Sequence, residues 1–337
     1  MNTDRKIEIG ILGDGGWGTT LAIHLAKKGY LVNLWGPFSD YLEIMDKKRE
    51  NIKFLPGIKI PSSVKIVKEE EFLVKGSSII VIAIPSKYLR SVLKKFSHFD
   101  FHNRQILSVV KGIEYDTYLR PSQIIEEILG KIEIAVLSGP SIAQEVARGN
   151  PTAVVIASSD LSLAKKLQRI FSTSSFRVYI HSDVLGVELG GALKNIIAIA
   201  CGISDGLGFG TNTKSALLTR GLVEIIRLGV KLGARPETFL GLSGMGDLVT
   251  TCFSPHSRNR GVGEKIGKGG KIKDILEKME MVAEGVLTTK AVYELSKKYK
   301  VEMPITEQVY KVLYENKSPF KAMEELMTRR LKEESTI

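Results

Sequence analysis

Cysteine is nearly absent from this 337-residue chain, with Cys201 and Cys252 the whole complement. Two thiols cannot build a disulfide framework, and their spacing is not that of a zinc site, so both are expected as reduced thiols. Histidine is almost as scarce: of five scattered residues only His98 and His102 form a suggestive pair, and they lack the carboxylate or thiol partners a metal would need. No metal is expected. An apolar or Arg-rich leader is missing as well, since Asn2-Thr3-Asp4-Arg5-Lys6 reads as a short polar start rather than a signal peptide. That points to the cytoplasm. Nor does any run reach the roughly 18 uninterrupted apolar residues that suggest a membrane span. The nearest, Val184 to Ile203, is broken by Glu188, Lys194, Asn195 and several glycines, and reads as a buried helix. Internal repeats and low-complexity tracts are absent, and the Gly-Lys-rich stretch from Ile266 to Lys273 is too short to link domains.

The residues that are present describe an ordinary folded protein, 43% hydrophobic and 25% charged. A chain of this length exceeds what one hydrophobic core usually supports, so two domains are expected. The formal charge of +11 gives a positive surface field that would attract nucleic acid, an acidic membrane face or small phosphorylated ligands. The local excess from Lys265 to Lys273 has no interleaved aromatic residues to stack on bases, so it reads as a solvated loop. A nucleic-acid partner is therefore not expected.

Along the chain, Ile7, Ile9 and Ile11 alternate with Glu8 and Gly10 before a glycine cluster, after which Leu21, Leu25 and Ala26 recur at helical spacing up to Gly29. This is strand, tight turn, helix, stop. Further short β-rich runs occupy Leu31 to Trp35, Ser78 to Ile84, Gln105 to Val110, Ile132 to Leu137, Ala153 to Ala157 and Phe176 to Ile180, mostly with helical stretches between them. Such alternation implies crossover units and a mainly parallel sheet covered on both faces. Beyond Asp183 the periodicity is helical throughout. The expected fold is α/β, with a Rossmann-like doubly wound, mainly parallel sheet domain at 1–183 and an all-α domain for substrate and catalysis at 184–337.

Gly13-Asp14-Gly15-Gly16-Trp17-Gly18 follows the first strand and opens the first helix, the context that separates a dinucleotide fingerprint from a chance match. Gly13 permits the tight turn, Gly15 lets backbone approach a pyrophosphate, Gly18 lets helix and strand pack closely, and the helix start offers free N–H donors. The second strand ends at Trp35-Gly36-Pro37, about where an NAD-specific protein places an acid for the ribose 2′-hydroxyl. Neither an acid nor an arginine stands there, and Asp40 comes later, in the first turn of the next helix behind Ser39 as N-cap. The cofactor is therefore expected to be NAD or NADP with weak discrimination; a strong preference would need a contact from elsewhere, such as Lys47, Lys48 or Arg49.

Lys194 lies inside an otherwise apolar helix, with small neighbours Gly190, Gly191 and Ala198 making a niche at its base. Burial disfavours a charged ammonium, so such a lysine can exchange a proton near neutral pH; the alternative is a lysine that snorkels to the surface. Lys111 ends the strand Ile106 to Val110, and Ser138-Gly139-Pro140-Ser141 follows the next strand, both at carboxyl ends where doubly wound sheets bind ligands. In the helical region stand Gly244-Met245-Gly246-Asp247-Leu248 and Ser257-Arg258-Asn259-Arg260, the second pairing forked guanidinium donors with an amide, a combination suited to phosphate; the alternative for either is a solvated cap or turn.

The ordered segments GDGGWG, LWG, FLPGI, VVKGIE, LSGPS, GGALKNIIAIACGISDGLGFG, GLSGMGDLVTTC, HSRNRGVG, VAEGV and EMPIT resemble the soluble, bacterial-type NAD(P)-dependent glycerol-3-phosphate dehydrogenase family over almost the whole chain. The resemblance implies reversible hydride transfer between NAD(P)H and dihydroxyacetone phosphate, giving sn-glycerol 3-phosphate for glycerophospholipid synthesis. It implies that Lys194 is the proton donor and acceptor, supported by Lys111 and Asp247. Gly139, Ser141, Ser257, Arg258 and Asn259 would face the substrate, the last two holding its phosphate. Gly16, Trp17, Lys111, Ala143, Arg258, Val282 and Glu284 match positions the family uses around the dinucleotide. A homodimer is compatible with the resemblance.

Three departures stand out: Gly16 where many members have serine, Ser141 where many have threonine, and Pro37 where NADP-preferring members often carry a basic residue. The last puts strict NADP dependence in doubt. Two other readings of the same residues are a dehydrogenase of another small hydroxy acid or sugar phosphate and a non-catalytic dinucleotide sensor.

Overall fold

The computed structural model describes residues 7–279, 281–331 and 333–334. It divides into two compact units, one running to Val110 and resuming at Pro121–Val184, the other formed by Lys111–Arg120 and everything from Leu185 onward. Thus the segment after Val110 groups with the helices and not with the strand it leaves.

The first unit is an eight-stranded sheet. Its strands are β1 (Glu8–Leu12), β2 (Leu31–Trp35), β3 (Val64–Val67), β4 (Ile79–Ile82), β5 (Gln105–Ser108), β6 (Glu133–Ser138), β7 (Thr152–Ala157) and β8 (Phe176–His181), in the order β3-β2-β1-β4-β5-β6-β7-β8. All neighbours pair in parallel except β6 with β7. The interposed helices are α1 (Gly16–Lys27), α2 (Ser39–Lys48), α3 (Glu70–Lys75), α4 (Ser86–Phe96), α5 (Pro121–Leu129), α6 (Ala143–Ala147) and α7 (Leu161–Phe171). Both faces of the central strands are buried, which is why Ile79–Ile82 reads as an uninterrupted apolar run.

Two local expectations change. The edge strand β3 was not expected: it is four residues long and only Val64 is fully buried, so its sequence carries little of the alternation by which strands are recognised. The N-cap of α2 is Phe38 and not Ser39, which is the first helical residue; Asp40 does lie in the first turn.

The second unit is helical: α8 (Val184–Gly206), α9 (Thr211–Lys231), α10 (Asp247–Phe253), α11 (Arg258–Gly267), α12 (Ile272–Glu277), α13 (Glu284–Tyr299), α14 (Pro304–Tyr314) and α15 (Pro319–Met327). Among the described residues α8 alone is long and apolar enough to cross a membrane, and 89% of its most apolar window is buried inside the protein. It is the core helix of this unit: its Leu193, Ile196, Ile197 and Ile199 share one buried cluster with Leu222 and Ile226 of α9 and Leu248 of α10. The expected loop from Lys265 to Lys273 is instead the last turn of α11, a solvent-exposed turn at Lys268 to Lys271, and the start of α12.

Candidate active site

In the first unit, Gly13 reverses the chain after β1 at a φ of 128°, which side chains rarely tolerate. A Cβ on Gly18 would come within 1.9 Å of the Gly13 carbonyl, so only glycine lets α1 start this close to the strand. Gly15 differs, because nothing lies within 4 Å of where its Cβ would stand. The space above this N-cap is open to a ligand. The first turn of α1 contains no acid, and its N–H groups lack intrahelical partners, so the helix start suits a pyrophosphate. Gly16 passes beneath the Phe54 carbonyl, and Ala143 sits beside it with its own carbonyl accepting from Thr20 Oγ1 at 3.1 Å. The indole Nε1 of Trp17 is buried without a partner. An open cradle beside an unsatisfied buried donor fits a dinucleotide. Gly13, Gly15, Gly16, Trp17, Gly18 and Ala143 therefore come together in this unit. Gly139 and Ser141 form a separate turn after β6, with Gly139 at a φ of 126° and the Ser141 hydroxyl donating to the Gly139 carbonyl at 2.9 Å.

In the second unit the chemistry gathers on α8 and α10. Lys194 is only 6% exposed in the middle of α8. One turn earlier, a Cβ on Gly190 would stand 2.6 Å from the Ser243 carbonyl, so the glycine allows the π-turn Leu242–Gly246 to rest on the helix. That turn delivers Asp247 as the first residue of α10. Asp247 Oδ1 accepts from Lys194 Nζ at 2.7 Å, and Oδ2 accepts from Lys111 Nζ at 2.6 Å. Lys111 is thus not the last residue of a strand: β5 stops at Ser108, and Lys111 opens the segment that belongs to the helical unit.

A fourth member was not read from the sequence. Thr251, one turn along α10, donates its hydroxyl to the Asp247 carbonyl at 2.7 Å and accepts from Lys194 Nζ at 2.5 Å. Spacing of four on one helix puts it on the face of Asp247. Two ammonium groups share a single carboxylate, so the fully protonated cluster carries a net positive charge. Burial lowers the Lys194 pKa to about 8; Asp247 opposes the fall and the Lys111 charge adds to it. A group that loses its proton there can act as acid or base near neutral pH.

Asn195, also missed, follows Lys194 and ties three helices together. Its Oδ1 accepts from Asn259 Nδ2 at 2.9 Å, while Asn259 Oδ1 accepts from the Gly285 N–H at 2.9 Å. The second N–H of the Asn259 amide lies outside these bonds. Ser257 caps α11 by accepting from the Arg260 N–H at 3.2 Å, and Arg258 is the exposed first residue of that helix. Glu284 opens α13 beside Gly285, with Val282 just before it.

Comparison with known proteins places both halves of the chain in one family. Residues 8–164 match the model of the NAD-dependent glycerol-3-phosphate dehydrogenase N-terminus, and 183–324 that of its C-terminus. The chain is 50% identical to glycerol-3-phosphate dehydrogenase [NAD(P)+] of Chlorobium phaeobacteroides strain BS1, over 97% of this chain and 99% of the relative. Its identity to the enzyme of the same name from Citrifermentans bemidjiense is 52%, over 97% and 98%. The crystal structure of glycerol-3-phosphate dehydrogenase from Coxiella burnetii superposes with a TM-score of 0.92 at 40% identity, covering 96% of this chain and 99% of that one. With both halves matched in order and the sheet and helical units as described, the chain belongs to the NAD-dependent glycerol-3-phosphate dehydrogenase family.

Proposed function

We propose that this chain interconverts dihydroxyacetone phosphate and sn-glycerol 3-phosphate with Lys194 as the proton donor and acceptor. The observation that carries the residue assignment is the sharing of the Asp247 carboxylate by Lys194 and Lys111, with bonds of 2.7 and 2.6 Å. Bound NAD(P)H supplies the hydride. As negative charge develops on the substrate carbonyl oxygen, Lys194 gives up its proton to it, and Lys111 stabilises the charge. Asp247 orients both ammonium groups and compensates part of the cost of burying them.

Arg258 and the remaining amide N–H of Asn259 hold the substrate phosphate, with Ser257 setting the start of their helix. Contacts to a non-reacting phosphate orient the carbonyl, which lowers the barrier to transfer. The assignment of Gly139 and Ser141 to the substrate, and of Lys111, Arg258, Val282 and Glu284 to the dinucleotide, rests on family resemblance. The +11 charge favours capture of anionic substrate and cofactor. We place the reaction in the cytoplasm, with which two buried free thiols are consistent, assign no nucleic-acid partner, and take a homodimer as the assembly for light scattering to test.

The test is the absorbance of each reduced nicotinamide on addition of dihydroxyacetone phosphate, with other small keto acids and sugar phosphates as a panel. Turnover with dihydroxyacetone phosphate should exceed that with every other substrate by orders of magnitude.

A further inference from the structure

The end of β2 lacks an acid in the sequence, yet the fold brings one there. The Gly13 N–H donates to the Trp35 carbonyl at 2.9 Å, continuing the parallel register in which Leu12 lies opposite Trp35. Just past this bond, in the turns that leave the two strands, Asp14 and Gly36 meet. A Cβ on Gly36 would stand 2.3 Å from the Asp14 carboxyl carbon and 2.5 and 2.6 Å from its two oxygens. Glycine at 36 is the residue that leaves room for this carboxylate.

Asp14 is 6% exposed, and its Oδ2 is buried with no hydrogen-bond partner. A buried carboxylate oxygen normally has one, so the unsatisfied acceptor is an unexplained cost unless a donor arrives from outside the chain. Burial raises the carboxyl to about 6, against its own backbone N–H and the Lys53 ammonium, so at pH 7.5 the group is mostly ionised. Lys53, the base whose charge acts on Asp14, lies over the Phe54 ring at 5.3 Å, and Arg49 is committed elsewhere: it pairs with Asp46 at 2.7 Å and donates to the carbonyls of Ile60, Pro61 and Val64.

We infer that Asp14, reaching the β2 terminus from the glycine turn, is the acid that reads the ribose 2′ position and selects NAD(H) over NADP(H). Its carboxylate accepts from a 2′-hydroxyl. A 2′-phosphate would set a dianion against this buried carboxylate, and like charges so placed are expected to discriminate by about a hundredfold. The weak discrimination expected from the sequence then gives way to a preference for NAD(H). The inference rests on the glycine turn being the dinucleotide cradle.

The test is equilibrium binding of NADH and NADPH by quenching of tryptophan fluorescence, supplemented by competition of ADP-ribose and its 2′-phosphate against NADH on the unaltered protein. NADH should bind about a hundredfold more tightly than NADPH, and the unphosphorylated fragment should compete better by a similar factor. Asp14→Asn and Asp14→Ser should tighten NADPH about tenfold while changing NADH by no more than about fivefold. Binding of the two nucleotides within about threefold on the unaltered protein, or a nucleotide ratio unchanged by both variants, would overturn the assignment. Gly15→Val separates the two levels: if it leaves nucleotide binding intact the cradle itself is misplaced, whereas loss of binding with an unchanged ratio in the Asp14 variants sinks only the role of Asp14.

Discussion

Asn259 donates a 2.9 Å hydrogen bond to Asn195, and each stands next in the chain to a residue with a proposed chemical role, Arg258 and Lys194. The bond links the surroundings of Arg258 to those of Lys194 through two buried amides. An amide left unpaired in such a place costs about 1–3 kcal/mol, so Asn195→Ala should lower the melting temperature by several degrees. If the tie also positions Arg258, kcat/KM for dihydroxyacetone phosphate should fall at least about tenfold. A specificity constant within about twofold of the parent would reduce the pair to a structural contact.

Arg258 should distinguish phosphorylated from unphosphorylated substrate. Arg258→Ala should lose on the order of 3 kcal/mol in kcat/KM for dihydroxyacetone phosphate, and Arg258→Lys, which keeps the charge without the fork, somewhat less. Slow turnover of dihydroxyacetone should scarcely change in either variant. NADH affinity must be followed in parallel, since the residue is also assigned to the dinucleotide. Persistence of the phosphate preference in the alanine variant would move the grip elsewhere.

Asp247 raises the Lys194 pKa while burial and Lys111 lower it, to about 8. In the reduction direction Lys194 must carry its proton, so kcat/KM should decline as pH rises through about 8, and in the oxidation direction the same limb should rise. Asp247→Asn removes the charge that favours the ammonium, which moves this inflection to lower pH in addition to slowing turnover. An inflection that stays in place would mean that another group titrates.

Glu224 is 2% exposed on α9, and it accepts from the N–H groups of Ile305 and Thr306 and from the Thr306 hydroxyl at the start of α14. Burial raises its carboxyl from 4.5 to about 7 against those three bonds. Between these values the folded protein holds a proton that the unfolded chain has released. The stability this group contributes is therefore complete below 4.5 and lost as pH rises through 7, a change of up to about 3 kcal/mol. Glu224→Gln cannot titrate, so its melting temperature relative to the parent should rise between pH 5 and 8. A difference independent of pH would remove Glu224 from this role.

Much of the fold was legible because β1, the glycine run and α1 carry their periodicity on the surface of the sequence, whereas β3 is a short edge strand with a single fully buried residue. Lys194 announced itself as a charge inside an apolar helix. Thr251 and Asn195 did not, being common polar residues whose partners Lys194 and Asn259 lie 57 and 64 positions away. Asp14 was hidden for a different reason. It sits in the middle of the fingerprint, but its meeting with Gly36 depends on the register between β1 and β2, which no local pattern reveals.

Whether Lys194 moves the proton is decided by steady-state turnover of Lys194→Met with dihydroxyacetone phosphate, measured alongside NADH binding to the same sample. General acid–base groups contribute about 100- to 10,000-fold, so kcat should fall by at least the lower figure while NADH binds as in the parent. Turnover within about threefold of the parent would contradict the account and return Lys194 to the role of a buried structural charge.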